Sequence, residues 1–393
     1  MAVSFAQRTQ WLKASEIREI LKITQQPDMI SFAGGLPAPE LFPVEEMKEV
    51  SRQVLEEWGG QALQYSTTEG FEPLRSQIAE RLNRKFQTRT AASQILITSG
   101  SQQALDFSGK LFLDPGDVVL CESPTYLAAI SAFRAYEPRF VEVPTDQDGM
   151  QMEELEEILK RETRVKLIYM IPDFQNPTGR TWSLERRKQL VALANQYEIP
   201  IIEDNPYGEL RYEGEILPAL QGLDSKGMVI LTGTFSKTLC PGMRIGWISA
   251  HPRFIEKYIL IKQGADLHTS SISQREISCY ISQYDFDAHI RSIIQVYRQR
   301  RNAMLDAMEA YFPPEVLFNK PQGGLFTWVE LPEHIQGMEL LKSCLEKKVA
   351  FVPGDSFFPN KKAQNTFRLN FSNMPEAMID EGIKRIGNIL KES

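Results

Sequence analysis

Between residues 94 and 235, short apolar runs alternate with segments whose apolar positions recur every three or four residues. The runs are Ile95 to Thr98, Val118 to Glu122, Arg139 to Val143, Val165 to Ile171, Pro200 to Asp204 and Met228 to Leu231. Each is short and followed by turn residues, the pattern of a buried strand. Between them, Met152 to Lys160 and Leu184 to Tyr197 carry helical spacing. Strands that alternate with helices predict a largely parallel sheet covered on both faces, with functional groups gathered at the strand ends. After Ile248 long helical patterns take over, notably Phe286 to Tyr311. Strands at Gly324 to Leu331 and Thr366 to Phe371 and a helix from Pro375 then follow. Near the start, Ser15 is placed to cap a helix with Ile17, Ile20 and Leu21 on one face. The predicted fold class is α/β: a large, mostly parallel-sheet domain over 51–290, and a smaller α+β domain built from 1–50 and 291–393.

Composition narrows the function more than the fold. A chain of 393 residues with 42% hydrophobic and 24% charged residues is that of a globular protein of more than one domain. A net charge of -7 argues against a nucleic-acid surface. No apolar stretch approaches membrane-spanning length, and Met1 to Trp11 lacks the apolar core of a signal peptide. The expectation is a soluble cytoplasmic protein with neither nucleic acid nor membrane as a partner. Cys121, Cys240, Cys279 and Cys344 are scattered without zinc-ligand spacing, so they are expected to be reduced thiols and no metal is expected. Arg298, Arg300 and Arg301 are expected on a solvated helix face.

Candidate chemistry concentrates just past the predicted strands. Lys237 follows the run ending at Leu231; a lysine emerging there loses solvation, which lowers its pKa and frees its lone pair for attack on a carbonyl. Thr234, Ser236 and Arg244 add hydroxyl and cationic donors of the kind a phosphate needs. The turn Ser99 to Leu105, containing Ser101 and Gln102, opens a helix whose free N–H groups suit an anion, although a simple serine cap accounts for it equally well. Asn176 precedes Pro177 and is held extended, and Asp204 and Tyr207 end another apolar run. Taken singly, these are also a turn and a helix cap. In Thr366 to Phe371, strand alternation puts Arg368 and Asn370 on the face opposite Phe367, Leu369 and Phe371. An arginine so framed needs an anion, either an internal carboxylate or a bound one. Neither GxGxxG nor a P-loop is present.

The order of these motifs (phosphate turn, Asn-Pro-x-Gly, Asp-x-x-Tyr, Ser-Lys with a trailing Arg) resembles the fold-type I pyridoxal-phosphate aminotransferases over nearly the whole chain. The resemblance implies pyridoxal 5'-phosphate as cofactor and Lys237 as its Schiff-base residue and proton carrier. Asp204 would face the pyridine nitrogen, where an anion keeps the ring an electron sink. By the same resemblance Asn176 and Tyr207 donate to the ring 3-oxygen, and Tyr126 stacks on the ring. Ser101, Gln102, Thr234, Ser236 and Arg244 form the phosphate cradle, and Tyr65 reaches the phosphate of a neighbouring subunit. That last role implies a homodimer with shared active sites. Arg368 is implied to bind the substrate α-carboxylate beside Asn176.

Phe32-Ala-Gly-Gly-Leu-Pro and Arg18 resemble the 2-aminoadipate aminotransferase branch, which is related to the catalytic half of MocR-type regulators. Gly35 would let backbone approach the substrate, and Arg18 would meet a distal carboxylate. The implied reaction is a ping-pong exchange between an L-amino acid and a 2-oxo acid such as 2-oxoglutarate. A carbon-sulfur β-lyase could use nearly the same pocket. A non-catalytic ligand-sensing module is disfavoured because too few residues precede Ser15 for a DNA-binding domain.

Overall fold

The computed structural model describes residues 3–10, 28–360 and 365–392; the proposed Ser15 helix and Arg18 lie outside them. Fourteen strands are described, β1 to β14 in chain order. Eight form the central sheet: β2 (Ile95–Thr98), β3 (Val118–Ser123), β4 (Arg139–Asp146), β5 (Gly149–Met150), β6 (Val165–Met170), β7 (Ile201–Asp204), β8 (Val229–Thr234) and β9 (Gly246–Ser249), in the order β2-β9-β8-β7-β6-β3-β4-β5. Strands β8, β7, β6, β3 and β4 run parallel, whereas β9 is antiparallel to both its neighbours. The apolar runs therefore mark the parallel strands, with ends shifted by a few residues. Strand β9, which ends where the helical patterns begin, is not among the predicted strands.

Both faces of the sheet are buried, and strand alternation divides its side chains between two cores. Val118, Leu120, Ile168, Met170 and Ile201 pack with Leu155, Ile158 and Leu190 from the helices Met152–Arg161 and Leu184–Tyr197. Val119, Cys121, Leu167, Tyr169 and Ile202 belong to the other, larger core. Burying both faces explains why these strands read as continuous apolar runs.

A second sheet has the order β10 (Leu317–Phe318), β11 (Phe326–Glu330), β14 (Thr366–Asn370), β13 (Val352–Pro353), all antiparallel. Helices Phe286–Tyr311 and Glu376–Glu392 pack together beside it. The N-terminal strand β1 (Ile30–Ser31) pairs in parallel with β12 (Val349–Ala350), and the Asn370 N–H donates to the Phe32 carbonyl at 2.9 Å. These bonds set the Ala33 to Leu36 loop beside β14.

The solvated arginine face is a misreading for two of its three members. Arg300 and Arg301 are 5% and 6% exposed. Arg300 donates to the Ser372 carbonyl and pairs with Glu40, while Arg301 donates to the Pro321 carbonyl and pairs with Glu213. Neighbouring segments close over that helix face, so its cations serve as cross-links. Arg298 remains exposed and donates to the Tyr212 carbonyl at 2.8 Å.

Candidate active site

The strand ends converge on one buried carboxylate. Asp204, at the end of β7, is 1% exposed. Its Oδ2 accepts from the Tyr169 hydroxyl at 2.9 Å and its Oδ1 from Thr232 Oγ1 at 3.0 Å. Thr232 is the direct cross-strand partner in β8, and Tyr169 in β6 lies opposite Ile202, on the same face as Asp204. Burial pushes the Asp204 carboxyl up to about 6, against the pull of these two donors. Both donors are neutral, so a cationic N–H would still be strongly favoured there. Helix capping belongs to its neighbour instead: Glu203 accepts from the N–H groups of Leu220 and Gln221 at 2.8 and 3.0 Å.

Lys237 lies three residues beyond β8. Its Nζ donates to the Gly35 carbonyl at 2.7 Å, tying the N-terminal loop to the strand end. The residue as a whole is only half-buried. Burial of its amine, with Arg368 and Arg244 adding repulsion, nonetheless lowers the pKa to about 8. A neutral amine is therefore accessible near physiological pH, as a carbonyl nucleophile or proton acceptor requires.

Arg368, in β14, is 2% exposed. It donates from Nη1 to Asn176 Oδ1 at 2.7 Å and from Nη2 to the Ala33 carbonyl. Its guanidinium lies 4.2 Å from the Phe326 ring centre and 5.0 Å from that of Phe357. Its Nε has no partner among the described residues, and burial lowers its pKa to about 10. Among the described residues no carboxylate pairs with it; its partners are neutral groups and aromatic faces, an arrangement that favours a bound carboxylate. Asn176 also directs Nδ2 at the Tyr207 hydroxyl, at 3.5 Å. The Tyr207 ring meets Phe326 edge-on, 5.8 Å between centres.

A phosphate-sized anion has a place at the other end. Helix Ser101–Phe112 is capped by Gly100 rather than by a serine. Gly100 has φ +79°, and a Cβ there would lie 2.5 Å from Arg244 Nη2. Arg244 Nη2 contacts the Ser99 carbonyl at 3.4 Å. Thr234 Oγ1 donates to Ser236 Oγ at 2.9 Å and accepts from the Ser236 N–H at 3.1 Å. Helix N–H groups, two hydroxyls and a guanidinium thus meet around a turn that has room only for glycine. Together the buried carboxylate, the amine and this cradle fit the ring nitrogen, carbonyl and phosphate of pyridoxal phosphate.

Comparison with known proteins agrees: residues 27–386 match the family described as aminotransferase class I and II. The chain belongs to that family. It is 49% identical to aromatic-amino-acid aminotransferase 1 of Thermococcus litoralis, over 99% of this chain and 94% of that protein. It is 44% identical to 2-aminoadipate transaminase of Thermus thermophilus, over 97% and 94% of the two chains. The solved kynurenine aminotransferase of Pyrococcus horikoshii, in complex with PMP, superposes with a TM-score of 0.95 at 44% identity, over 99% and 97% of the chains. The cofactor of this aminotransferase is pyridoxal 5'-phosphate, and its reaction is amino-group transfer.

The remaining sequence candidates of the aminotransferase are less tightly joined. Tyr126 precedes helix Leu127–Arg134 and is half-buried; burial and the Asp204 charge push its phenol up to about 12. Gln102 is exposed and donates to the Ala128 carbonyl at 3.2 Å. Tyr65 is 81% exposed and makes its ring contact with His268 rather than with this cluster. At Gly35 a Cβ would lie 3.0 Å from Phe326 Cζ, a closer constraint than a turn alone. Sequence reasoning missed Tyr169, Thr232, Ala33, Phe326 and Phe357. Only Tyr169 and Thr232 left a signal: polar groups in apolar strands, at positions that share a face with Asp204.

Proposed function

We propose that this aminotransferase moves the amino group of an L-amino acid, aromatic, branched-chain, glutamate or 2-aminoadipate, to a 2-oxo acid such as 2-oxoglutarate, in two half-reactions. The observation that carries this reading is the uncompensated Arg368 guanidinium, set among Asn176, Phe326 and Phe357 near the perturbed amine of Lys237. A cation flanked by aromatic rings suits the carboxylate of an amino acid and an apolar side chain beyond it. The aromatic and 2-aminoadipate names of the two relatives support the same substrate range.

When bound, pyridoxal phosphate supplies an aldehyde and an electron-withdrawing ring. Lys237 would hold the cofactor through Nζ, and its amine, lowered to about 8, would take the substrate α-proton as general base. Asp204 holds the ring-nitrogen proton, with Tyr169 and Thr232 fixing its carboxylate. Ser101, Gln102, Thr234, Ser236 and Arg244 hold the phosphate. Tyr126 covers the ring face, and Tyr207 and Asn176 donate to the ring oxygen. Arg368, with Asn176, would orient the substrate carboxylate, and Gly35 would let the backbone approach the substrate; Arg18, outside the described residues, is proposed to meet a distal carboxylate where the side chain carries one. We assign residues 51–290 to the cofactor-binding domain and 1–50 with 291–393 to the smaller one. The exposed Leu63 and Tyr65, 73% and 81% accessible, support a homodimer in which Tyr65 serves the other subunit's phosphate. Among the described residues no helix is long and apolar enough to cross a membrane, consistent with the proposed cytoplasmic location.

The test adds single amino acids to the purified, cofactor-loaded enzyme and follows the cofactor absorbance through one half-reaction. Glutamate, 2-aminoadipate, phenylalanine and leucine are compared, with 2-oxoglutarate as the second substrate. Recovery of the amino group in glutamate supports the proposal. Ammonia and pyruvate from a cysteine-type substrate, without transfer, would sink it in favour of a lyase.

A further inference from the structure

Glu122, near the end of β3, is a buried carboxylate that the cofactor site does not use. It is 2% exposed. Strand alternation puts it on the face of Val118 and Leu120, whereas Asp204 shares the opposite face with Ile202. Its Oε2 accepts from the Ile171 N–H at 3.0 Å and its Oε1 from the Trp182 indole N–H at 2.9 Å. Burial pushes its carboxyl up to about 7, against the pull of these donors and of the Gln175 amide. A carboxylate buried among neutral donors is costly. The groups it holds belong to one loop.

Ile171 and Trp182 are the two ends of the connection from β6 to helix Leu184–Tyr197. The Trp182 N–H also donates to the Pro172 carbonyl at 2.8 Å, which closes the base of the loop. Its indole is fully buried and backed so closely that a Cβ on Gly149 would lie 2.4 Å from the ring. Inside the loop, Gln175 Oε1 accepts from the Thr178 N–H at 2.9 Å and hydroxyl at 2.7 Å. Gln175 Nε2 donates to the Pro124 carbonyl at 2.8 Å, on the segment that leads from β3 to Tyr126. Asn176, next in the chain, is 3% exposed and meets Arg368 and Tyr207. Its amide is therefore aimed by a loop whose two ends share one carboxylate.

We propose that Glu122 is a positioning residue for amino-group transfer: by clamping both ends of the 171–182 loop it sets the Asn176 amide against Tyr207, Arg368 and the cofactor's ring oxygen. It acts through the loop and not on the reacting atoms. The assignment rests on the reading above that Asn176 donates to the ring oxygen. Burial of the clamp on the far face of the sheet keeps water from competing for its two N–H donors.

The test compares Glu122→Gln, Trp182→Phe and Asn176→Ala, each with and without pyridoxal phosphate. Glu122→Gln keeps the shape but turns an amide NH2 toward one of the two N–H donors, and Trp182→Phe removes one donor while leaving the carboxylate. A donor to the ring oxygen favours its anion, so losing that donor raises the pH midpoint of the bound cofactor's absorbance change. Asn176→Ala should raise this midpoint by about one unit and weaken pyridoxal phosphate about tenfold. Glu122→Gln and Trp182→Phe should each reproduce both effects in part. Their combined effect in the double variant should be smaller than the sum, because both break the same bond. A role confined to stability would lower the urea midpoint of the cofactor-free variants while the absorbance midpoint and cofactor affinity stay at their wild-type values, and that result overturns the proposal. If Glu122→Gln does not fold, Trp182→Phe decides on the same two readouts. An unmoved absorbance midpoint in Asn176→Ala would instead sink the reading of Asn176, and the proposal with it.

Discussion

Replacing Tyr169 by phenylalanine removes one of two hydrogen bonds from a carboxylate that is 1% exposed. A hydrogen bond to a charged group contributes about 1.5–3 kcal/mol, against about 1 for a neutral pair. The difference between the two, at about 1.36 kcal/mol per pKa unit, should raise the Asp204 carboxyl by roughly half a unit to one and a half units. The starting point is already high, at about 6 against an ordinary 3.8. Between these two values the folded state keeps the proton and the unfolded state has lost it. Stability therefore falls as pH rises through the interval, and the penalty is complete above the folded-state pKa. In Tyr169→Phe the interval extends upward, so the variant's deficit grows with pH. Urea titrations of the cofactor-free protein should show a deficit of about 1 kcal/mol at pH 5, where the folded carboxyl is protonated, and about 2–3 kcal/mol at pH 9. An equal deficit at both pH values would refute the reasoning, because it would mean that the phenol contributes packing and not charge stabilisation.

Three further outcomes follow from the site. Lys237→Ala should abolish transamination while leaving a folded protein that still binds the cofactor non-covalently, and in the wild type the rate of covalent cofactor capture should rise with pH around a midpoint of about 8, where the amine becomes neutral; a midpoint near 10.5 would contradict its desolvation. Arg368→Leu should lower kcat/KM for every amino acid by about a hundredfold or more, as expected when a buried charge pair worth 2–5 kcal/mol is lost, and Arg368→Lys should recover little because the planar fork is gone; steady-state kinetics against several substrates checks both. Gly35→Ala places a methyl 3.0 Å from Phe326 Cζ, so kcat/KM should fall about tenfold through the ring that supports Arg368, with a stability change under about 1 kcal/mol; unaltered kinetics would show that the ring yields freely.

What could be read from the sequence followed from what each residue answers to. The strand bearing Asp204 is buried on both faces, so its apolar run was visible without any knowledge of its neighbours. Lys237 and Arg368 were similarly visible, being cations set in apolar or hydroxyl-rich surroundings. Tyr169 and Thr232 showed only as polar groups in apolar strands, and their relation to Asp204 was hidden because it depends on the register of three strands that are far apart in sequence. Arg300 and Arg301 failed for a related reason: the carbonyls and carboxylates that bury them come from Glu40, Glu213, Pro321 and Ser372. Helical periodicity carries no information about such partners.

The adjacent carboxylates Glu203 and Asp204 show how far one strand can separate two roles. Both are buried to 1% exposure or less, and burial raises both, to about 7 and about 6. Residue type and raised acidity alone would make either one a candidate. Alternation along β7 sends Glu203 to the face of the Leu220–Leu223 helix, where two backbone N–H groups use its oxygens as a cap. It sends Asp204 to the opposite face, where its donors are side-chain hydroxyls at the strand ends. Geometry therefore assigns the chemistry to Asp204. Glu203→Gln keeps an acceptor for the cap and should cost mainly stability, while Asp204→Asn removes the anion and should cost mainly activity, by about a hundredfold or more if the ring-nitrogen proton depends on it. Kinetics and urea unfolding of the two variants, measured side by side, would separate these losses, and a large activity loss in Glu203→Gln with unchanged stability would overturn the division.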